Sequence, residues 1–265
     1  MIIYKTPQEI ATMRESNQIV ARVLGELVGL VKPGVKTREL DDFAESRARQ
    51  LGAAPAFKGY RGYPASLCTS VNEEIIHGIP SARELKEGDI VGLDFGVQFD
   101  GFYGDAALTV PVGAIGPLAQ RLIACAEEAF FRGASQMMKE GSRISDISHA
   151  VQAYVEGQGF SVIRSFVGHG IGHSPHEEPQ VPNFGPPGRG PKIKEGLVLA
   201  IEPMIAAGDW QEEILGDGWT AVTKDGSLAA HFEHTVALTA EGVEILSLRE
   251  GERNRLLSSE VNRYA

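Results

Sequence analysis

The chain of 265 residues carries a formal net charge of −10; 43% of its residues are hydrophobic and 23% are charged. This balance is that of a soluble globular protein, and the negative charge argues against a protein that binds nucleic acid by neutralising phosphates. The sequence shows neither a secretory signal nor an apolar stretch of membrane-spanning length. Its two cysteines, Cys68 and Cys125, argue against a disulfide framework, so we expect a cytoplasmic protein.

The first predicted element is a helix that begins at Pro7. Thr6 supplies an N-cap and Glu9 completes a capping box, with proline at the first helical position. Apolar residues follow at helical spacing until Pro33-Gly34, where the helix is expected to end. A second helix is predicted from Thr37 to Leu51-Gly52.

Strands and one irregular segment are predicted after the helices. The segment from Pro179 to Pro191 is so rich in proline and glycine that we expect a loop there. Alternating or apolar runs predict strands at Ser66–Val71, Ile90–Phe95, Phe102–Val110, Leu197–Ile205, Trp219–Thr223 and His231–Leu238.

Two segments recur in the second part of the chain. VKPGVKTREL, which begins at Val31, resembles MKEGSRISDI, which begins at Met138. KEGDIVGLD, which ends at Asp94, resembles KEGLVLAIE, which ends at Glu202, at nearly the same offset. The repeat therefore aligns Asp94 with Glu202 at equivalent strand ends.

This repeat predicts a duplication within one domain that spans residues 1–265. Its two similar αβ halves are expected at about residues 1–111 and 119–250. The linker-like sequence PVGAIGP at 112–118 would join them.

Five ligand-type side chains stand at strand-like or loop-like positions: Asp94, Asp105, His169, Glu202 and Glu233. Four carboxylates and one imidazole cannot gather in a protein interior unless cations neutralise them. An oxygen-rich site for two divalent metals would do so, and such a pair can activate water. The sequence therefore predicts a dinuclear metallohydrolase.

Two of these residues also have a structural explanation when they are considered alone. Asp94 could be a turn residue and Glu233 could be paired in a salt bridge. Asp100 precedes Gly101, a pair typical of hairpin turns, and is left out of the site. The glycines around His169, in FVGHGIGH, allow the close backbone approach that a crowded site requires.

The sequence lacks the patterns that are typical of several other classes of site. Neither HExxH nor a CxxC pair occurs, which disfavours a mononuclear zinc protease and a structural zinc site. The glycines follow neither the dinucleotide nor the P-loop pattern. Ser66 and Ser70 lack the G-x-S-x-G context of a serine hydrolase.

At these residues the chain resembles the type I methionine aminopeptidases of the bacterial kind, which are metallopeptidases of family M24. The motifs that carry the resemblance extend over nearly the whole chain: GYPASLCTSVNEEIIHGIP (62–80), LDFGVQFDGFYGDAALTV (93–110), VGHGIGHSPHEEPQVPNF (167–184), LAIEPM (199–204) and EHTVALT (233–239). The resemblance implies the α+β pita-bread fold, in which two pseudo-symmetric αβ halves surround a central antiparallel sheet.

The resemblance also implies roles for the five ligand-type residues. Asp94 would bind the first metal with both oxygens, while Asp105 and Glu233 would bridge two metals. His169 and Glu202 would complete the coordination of the second metal. Such a donor set accepts Co, Mn, Fe or Zn, so the identity of the two divalent ions stays open.

Further residues match the non-metal part of the family's site. His77 and His176 match its two active-site histidines that are not ligands, whereas His173 matches no required position. The methionine pocket would be lined by Tyr60, Tyr63, Cys68 and Trp219, which suit a polarisable thioether.

Two departures from the family pattern affect the same pocket. Phe57 stands where some relatives carry a small thiol, and Pro175 stands where an aromatic residue is common. Either residue could reshape the methionine pocket.

The activity implied is removal of the first methionine from newly made polypeptides, preferably when the second residue is small. A water or hydroxide that bridges the metals would be the nucleophile, and Glu202 would shuttle its proton. His176 would stabilise the tetrahedral oxyanion and His77 would contact the peptide.

We expect a monomer with no nucleic-acid substrate and no membrane partner; docking at the ribosome stays open.

Two alternatives compete with this interpretation. A prolidase or Xaa-Pro aminopeptidase would share the fold, but those enzymes usually carry an additional N-terminal domain, and here the catalytic pattern begins too early to leave room for one. A non-catalytic binding protein on the same fold would be expected to lose metal ligands, whereas all five are present.

Overall fold

The computed structural model describes residues 1–252 and 254–257. Short 3-10 helices lie at Tyr60–Gly62, Gln136–Met138 and Arg255–Leu257. The helices and strands of the described residues are, in chain order, α1 (Pro7–Val28), α2 (Thr37–Gln50), β1 (Ala54–Pro55), β2 (Leu67–Val71), β3 (Glu74–Ile76), β4 (Ile90–Phe99), β5 (Phe102–Pro111), α3 (Pro117–Ser135), α4 (Ile144–Gly157), β6 (Ser161–Val162), β7 (Val167–Gly170), β8 (Glu177–Pro182), β9 (Val198–Ile201), β10 (Met204–Ala206), β11 (Glu212–Ile214), β12 (Ala221–Thr223), β13 (Ala229–His231), β14 (Glu233–Thr239) and β15 (Gly242–Ile245).

The main sheet is antiparallel, and its strand order reflects the sequence repeat. From the centre outwards, β5, β4 and β2 lie on one side, while β14, β9 and β7 lie on the other. The pairing of β5 with β14 joins the two sides. The helix pair α1 and α2 precedes the first set of strands, and α3 and α4 precede the second. The exact boundaries of the two halves stay a prediction.

The N-terminal helix begins as predicted. The Glu9 N–H donates to Thr6 Oγ1 at 3.3 Å, and the Thr6 N–H donates to Glu9 Oε2 at 2.7 Å. The helix ends at Val28, earlier than the predicted Pro33, because the Leu30 N–H turns back to the Leu27 carbonyl.

The second helix agrees with the prediction in its extent. Thr37 is the first helical residue, preceded by Lys36 at the cap position. The Thr37 hydroxyl exchanges hydrogen bonds with the backbone of Ser81. It therefore attaches the helix to the following loop.

Two strand predictions and the loop prediction were wrong in detail. The predicted strand Leu197–Ile205 is interrupted after Ile201, and His231–Leu238 is interrupted at Phe232. The predicted loop 179–191 begins inside β8, which pairs with β7. Proline is tolerated there because β8 lies at the edge of the sheet, where a missing N–H donor costs no pairing.

The core lies between the sheet and the helices. Its largest fully buried side chains include Phe95 of β4, Leu24 of α1 and the pair Phe130 and Phe131 of α3. Burial of each such side chain contributes about 1.5–3 kcal/mol. Both cysteines are free and buried, and the described helices include none long and apolar enough to cross a membrane.

Candidate active site

Three carboxylates meet on one face of the central strands. Asp94 of β4 and Glu233 of β14 both pair with Ala107 of β5, from opposite sides. Asp105 lies two residues before Ala107 and pairs with Gly96. Asp94 and Asp105 are therefore diagonal neighbours on one face of the β4–β5 hairpin. The small Ala107 side chain leaves room between them.

His169 and Glu202 come from the second half of the sheet. His169 of β7 pairs with Ala200 of β9, and Glu202 follows directly after that strand. The Glu202 carbonyl, at the strand break, accepts a hydrogen bond from Asn183 Nδ2 at 2.9 Å. His169 Nε2 lies 3.4 Å from Glu202 Oε1. Since Glu202 lies two residues after Ala200, strand alternation places it on the same face as His169.

The ligand atoms of Asp105, His169 and Glu233 lie within 4.8 Å of one another, and all three residues are buried. Asp94 and Glu202 line the same cavity as His169 and Glu233. The structure therefore brings together all five residues that the sequence singled out.

Burial raises the pKa of all four carboxyl groups, and their mutual repulsion raises the pKa of Asp94, Glu202 and Glu233 further. Burial, followed by the neighbouring His176, lowers the pKa of His169 to about 3. Oxygens of Asp94, Asp105 and Glu233 are buried without a hydrogen-bond partner among the described residues. Such a set can be ionised only beside cations, so the donors fit divalent metal ions.

Two glycines set the position of His169. A Cβ on Gly168 would overlap the Ala200 carbonyl, and one on Gly170 would overlap the Glu178 carbonyl. The absence of side chains lets β7 approach both neighbouring strands closely. This agrees with the close approach expected from the glycine-rich motif.

A cavity of about 270 Å³ opens above the carboxylates. The predicted pocket residues all line it, and so do both non-ligand histidines: Tyr60, Tyr63, Cys68, Trp219, His77 and His176. A larger groove of about 740 Å³ lies elsewhere, beside Gln18 and Glu250, and none of the predicted site residues lines it.

Aromatic rings form the walls of this cavity. The Tyr63 and Trp219 rings meet edge to face at 5.1 Å, and the Tyr63 hydroxyl donates to the Gly78 carbonyl at 2.9 Å. The His77 ring contacts Phe166 at 5.7 Å and Trp219 at 6.0 Å, both edge to face. These contacts fix the cavity shape before a substrate binds.

His176 stands beside the carboxylates. Its ring stacks on Tyr60 at 5.4 Å, with Nδ1 3.1 Å from the Tyr60 hydroxyl. Burial lowers the pKa of His176, and the Arg61 charge lowers it further. Burial likewise lowers the pKa of His77 to about 4, with a contribution from His176. Both imidazoles are therefore neutral at pH 7.

Sequence reasoning missed several residues of the cavity. Phe166 and Arg61 both line it. Phe166 directly precedes the VGHG motif, and Arg61 lies between two predicted pocket tyrosines. Both residues could therefore have been predicted from their positions in the sequence. Phe57, identified as a departure, does line the cavity, whereas Pro175 does not. His173 lies outside it, with its ring 4.1 Å from Phe102.

Comparisons with known proteins agree with this geometry. The model of metallopeptidase family M24 matches residues 11–240. Methionine aminopeptidase 1 of Bacillus subtilis (strain 168) is 51% identical over 247 residues, which cover 93% of this chain and 99% of that protein. The methionine aminopeptidase of Rickettsia prowazekii superposes with a TM-score of 0.91 at 39% identity, covering 94% of this chain and 100% of that one.

A prolidase from Pyrococcus furiosus shares the fold alone, with a TM-score of 0.73 at 22% identity over 92% of this chain and 65% of its own. The predicted α+β pita-bread fold is thus confirmed. The chain belongs to metallopeptidase family M24, in its methionine aminopeptidase branch.

Proposed function

We propose that this protein removes the N-terminal methionine from newly synthesised polypeptides by metal-assisted hydrolysis of the first peptide bond. The observation that carries the proposal is a set of unpartnered buried oxygens, on Asp94, Asp105 and Glu233, next to an aromatic cavity. The names of the similar proteins support the same activity.

The metal centre would hold two divalent ions on Asp94, Asp105, His169, Glu202 and Glu233. Carboxylate and imidazole donors suit Co, Mn, Fe or Zn. When bound, the ions would supply the Lewis acidity that activates a water molecule and polarises the scissile carbonyl.

Glu202 would move the proton. Its carboxylate lines the same cavity as Asp94 and Glu233, where it would reach both a nucleophilic water and the leaving amine. It would accept the proton of the water and return it to the amine.

His176 would stabilise the oxyanion. Because the Tyr60 hydroxyl lies 3.1 Å from Nδ1 and can donate to it, the ring proton would sit on Nε2. A neutral imidazole N–H aimed at the cavity is a donor for the developing negative charge.

The cavity would select the substrate. Rings of Tyr63, Trp219 and His77, together with the Cys68 side chain, suit an unbranched thioether. Since the volume is about 270 Å³, little space remains for a large second residue. His77 would contact the peptide near its amino terminus.

The activity is tested by measuring free methionine from Met-Ala-Ser with metal-stripped and metal-restored protein. We expect methionine to be released from Met-Ala-Ser only by the metal-restored protein, and no amino acid to be released from Leu-Ala-Ser. Cleavage of an Ala-Pro peptide instead would assign the chain to the prolidases. No cleavage with any of the four metals would favour the non-catalytic binding protein.

Two further measurements test the finer parts of the proposal. Turnover during metal titration should rise until two equivalents are bound; full activity at one equivalent would contradict the dinuclear centre. Met-Gly-Ser and Met-Ala-Ser should be cleaved much faster than Met-Leu-Ser and Met-Phe-Ser.

A further inference from the structure

His231 is a buried imidazole to which the proposed chemistry gives no role. It is 3% exposed, and its Nε2 has no hydrogen-bond partner among the residues that the structure describes. That atom lies 3.7 Å from Glu233 Oε2 and 3.8 Å from Glu202 Oε2. A buried polar atom without a partner costs about 1–3 kcal/mol, so its position requires an explanation.

The strand register brings His231 to the metal-binding face. Ile201 pairs with His234, and Met204 pairs with His231, so one register continues across the strand break. In that register Glu202 lies opposite Glu233. His231, two residues before Glu233, projects to the same face.

The His231 backbone is fixed to the central sheet. Its N–H donates to Thr109 Oγ1 at 2.9 Å, and the Thr109 hydroxyl donates back to the His231 carbonyl at 3.0 Å. Thr109 belongs to β5, the strand that carries Asp105. The imidazole is thus held relative to the same strand that supplies a carboxylate of the centre.

The two oxygens of Glu202 face different imidazoles. Oε1 lies on the side of His169, which is one of the clustered ligand-type residues, whereas Oε2 lies on the side of His231. Carboxylates only accept hydrogen bonds, so the surroundings of His231 suit a proton on Nε2. At 3.8 Å the contact is not yet a hydrogen bond.

We propose that His231 is a positioning residue of the metal centre, whose Nε2–H donates to Glu202 Oε2 in the metal-loaded protein. This inference rests on the proposed metal centre. It assigns Oε1 of Glu202 to the metal side and leaves Oε2 fixed by the imidazole, since carboxylates that bind metals are oriented by such outer hydrogen bonds.

Two consequences follow for the protein. Loss of the donor would weaken metal binding, because the Glu202 carboxylate would no longer be oriented. It would also lower kcat more than it raises KM, because the cavity walls that bind methionine do not change while the proton shuttle becomes mobile.

The test compares His231→Gln, His231→Asn and His231→Ala in the full chain. The glutamine amide supplies an N–H at a similar reach, whereas the asparagine amide is one methylene shorter and alanine has no donor. His173→Ala is the matched control, because it removes an exposed imidazole outside the cavity. Thermal unfolding of the metal-free proteins checks that each variant folds.

Co²⁺ titration by calorimetry and by visible absorption gives the readout. We expect the Co²⁺ Kd to rise roughly 10–100-fold in His231→Ala and His231→Asn, with His231→Gln and His173→Ala close to the wild type. The absorption bands should be the same in the wild type and His231→Gln, since no ligand is lost.

Three results would overturn the inference. Unchanged Co²⁺ affinity in His231→Ala would show that the imidazole does not act on the centre. Altered absorption bands together with weak binding in His231→Gln would make His231 a direct metal ligand. If the wild type itself bound no Co²⁺, the proposed metal centre would fail, and this role would fail with it.

Discussion

The Lys5 ammonium and the Glu177 carboxylate form an ion pair of 2.6 Å in the protein interior, where only 1% and 7% of their side chains are exposed. Lys5 precedes α1, and Glu177 begins β8 directly after His176. Gly172 leaves the necessary space, because a Cβ there would overlap the Lys5 side chain. The N-terminal segment therefore anchors the loop that carries His176.

Replacement of Lys5 by methionine should both destabilise the protein and slow turnover. Removal of one partner leaves the Glu177 charge buried and unpaired, which costs about 3–5 kcal/mol. Because Glu177 adjoins His176, kcat should fall while KM changes little. Urea unfolding and steady-state kinetics on Met-Ala-Ser measure the two effects.

Arg14→Met is the matched control for this change. The Arg14–Glu244 pair, also 2.6 Å long, attaches α1 to β15, but 43% and 35% of the two side chains are exposed. Its loss should cost less than about 1 kcal/mol and leave kcat unchanged. Equal effects of Lys5→Met and Arg14→Met on stability and kcat would contradict the prediction that burial makes the Lys5–Glu177 pair more important.

Glu202→Gln should abolish most turnover of the metal-loaded protein. A glutamine cannot accept the proton of the nucleophilic water, and such a proton transfer contributes roughly 10²–10⁴-fold. Activity is to be compared at equal metal content, determined by elemental analysis of each sample. Near-normal activity in the fully loaded variant would refute the role of Glu202 as proton shuttle.

Tyr60→Phe should reproduce part of the effect of His176→Ala. Loss of an oxyanion donor in His176→Ala is expected to lower kcat roughly 10²–10³-fold. Tyr60→Phe keeps the stacked ring but removes the hydroxyl beside Nδ1. One such hydrogen bond contributes about 1 kcal/mol, so kcat should fall roughly fivefold.

The double variant distinguishes coupling from independent effects. If Tyr60 acts through the imidazole, the added Tyr60→Phe change should have no further effect once His176 is alanine. Independent, multiplying effects would mean that Tyr60 acts on the substrate directly.

The sequence predicted the local features of the fold more successfully than the features that depend on pairing between distant strands. The Thr6–Glu9 capping box and the Asp100-Gly101 turn of the β4–β5 hairpin are encoded within a few residues. Asp100 and Gly101 both have positive φ, as a two-residue hairpin requires. The interruption of the strands around Glu202 and Phe232 depends instead on how two distant segments align.

The same distinction explains which site residues were found. Asp94 and Glu202 stand out because each carboxylate follows an apolar run, and burial there demands a partner. His231 was predicted only as the first residue of the strand His231–Leu238. Its approach to Glu202 depends on the register between β10 and β13, which no local pattern contains.

Acid should weaken the attachment of α2, through Glu45, to the segment that precedes β2. Its carboxylate accepts hydrogen bonds from Lys58 at 2.7 Å, Arg49 at 2.9 Å and the Ser66 hydroxyl at 3.0 Å. The bonds from Lys58 and then Arg49 lower the pKa of Glu45 from 4.5 to about 2. The ionised form therefore stabilises the folded state fully above pH 4.5, and this contribution is lost as the pH falls towards 2.

Glu45→Gln measures this contribution in metal-free protein, where loss of metal cannot interfere. Because the side chain is 23% exposed, screening by solvent should reduce the effect to roughly 1 kcal/mol at pH 6. The difference in free energy of unfolding between wild type and variant, from urea titrations, should shrink between pH 4.5 and pH 3. Addition of 1 M NaCl at pH 6 should shrink it as well, since salt screens exposed charges. A difference that stays constant with pH would mean that packing, not the ionised carboxylate, makes the contribution.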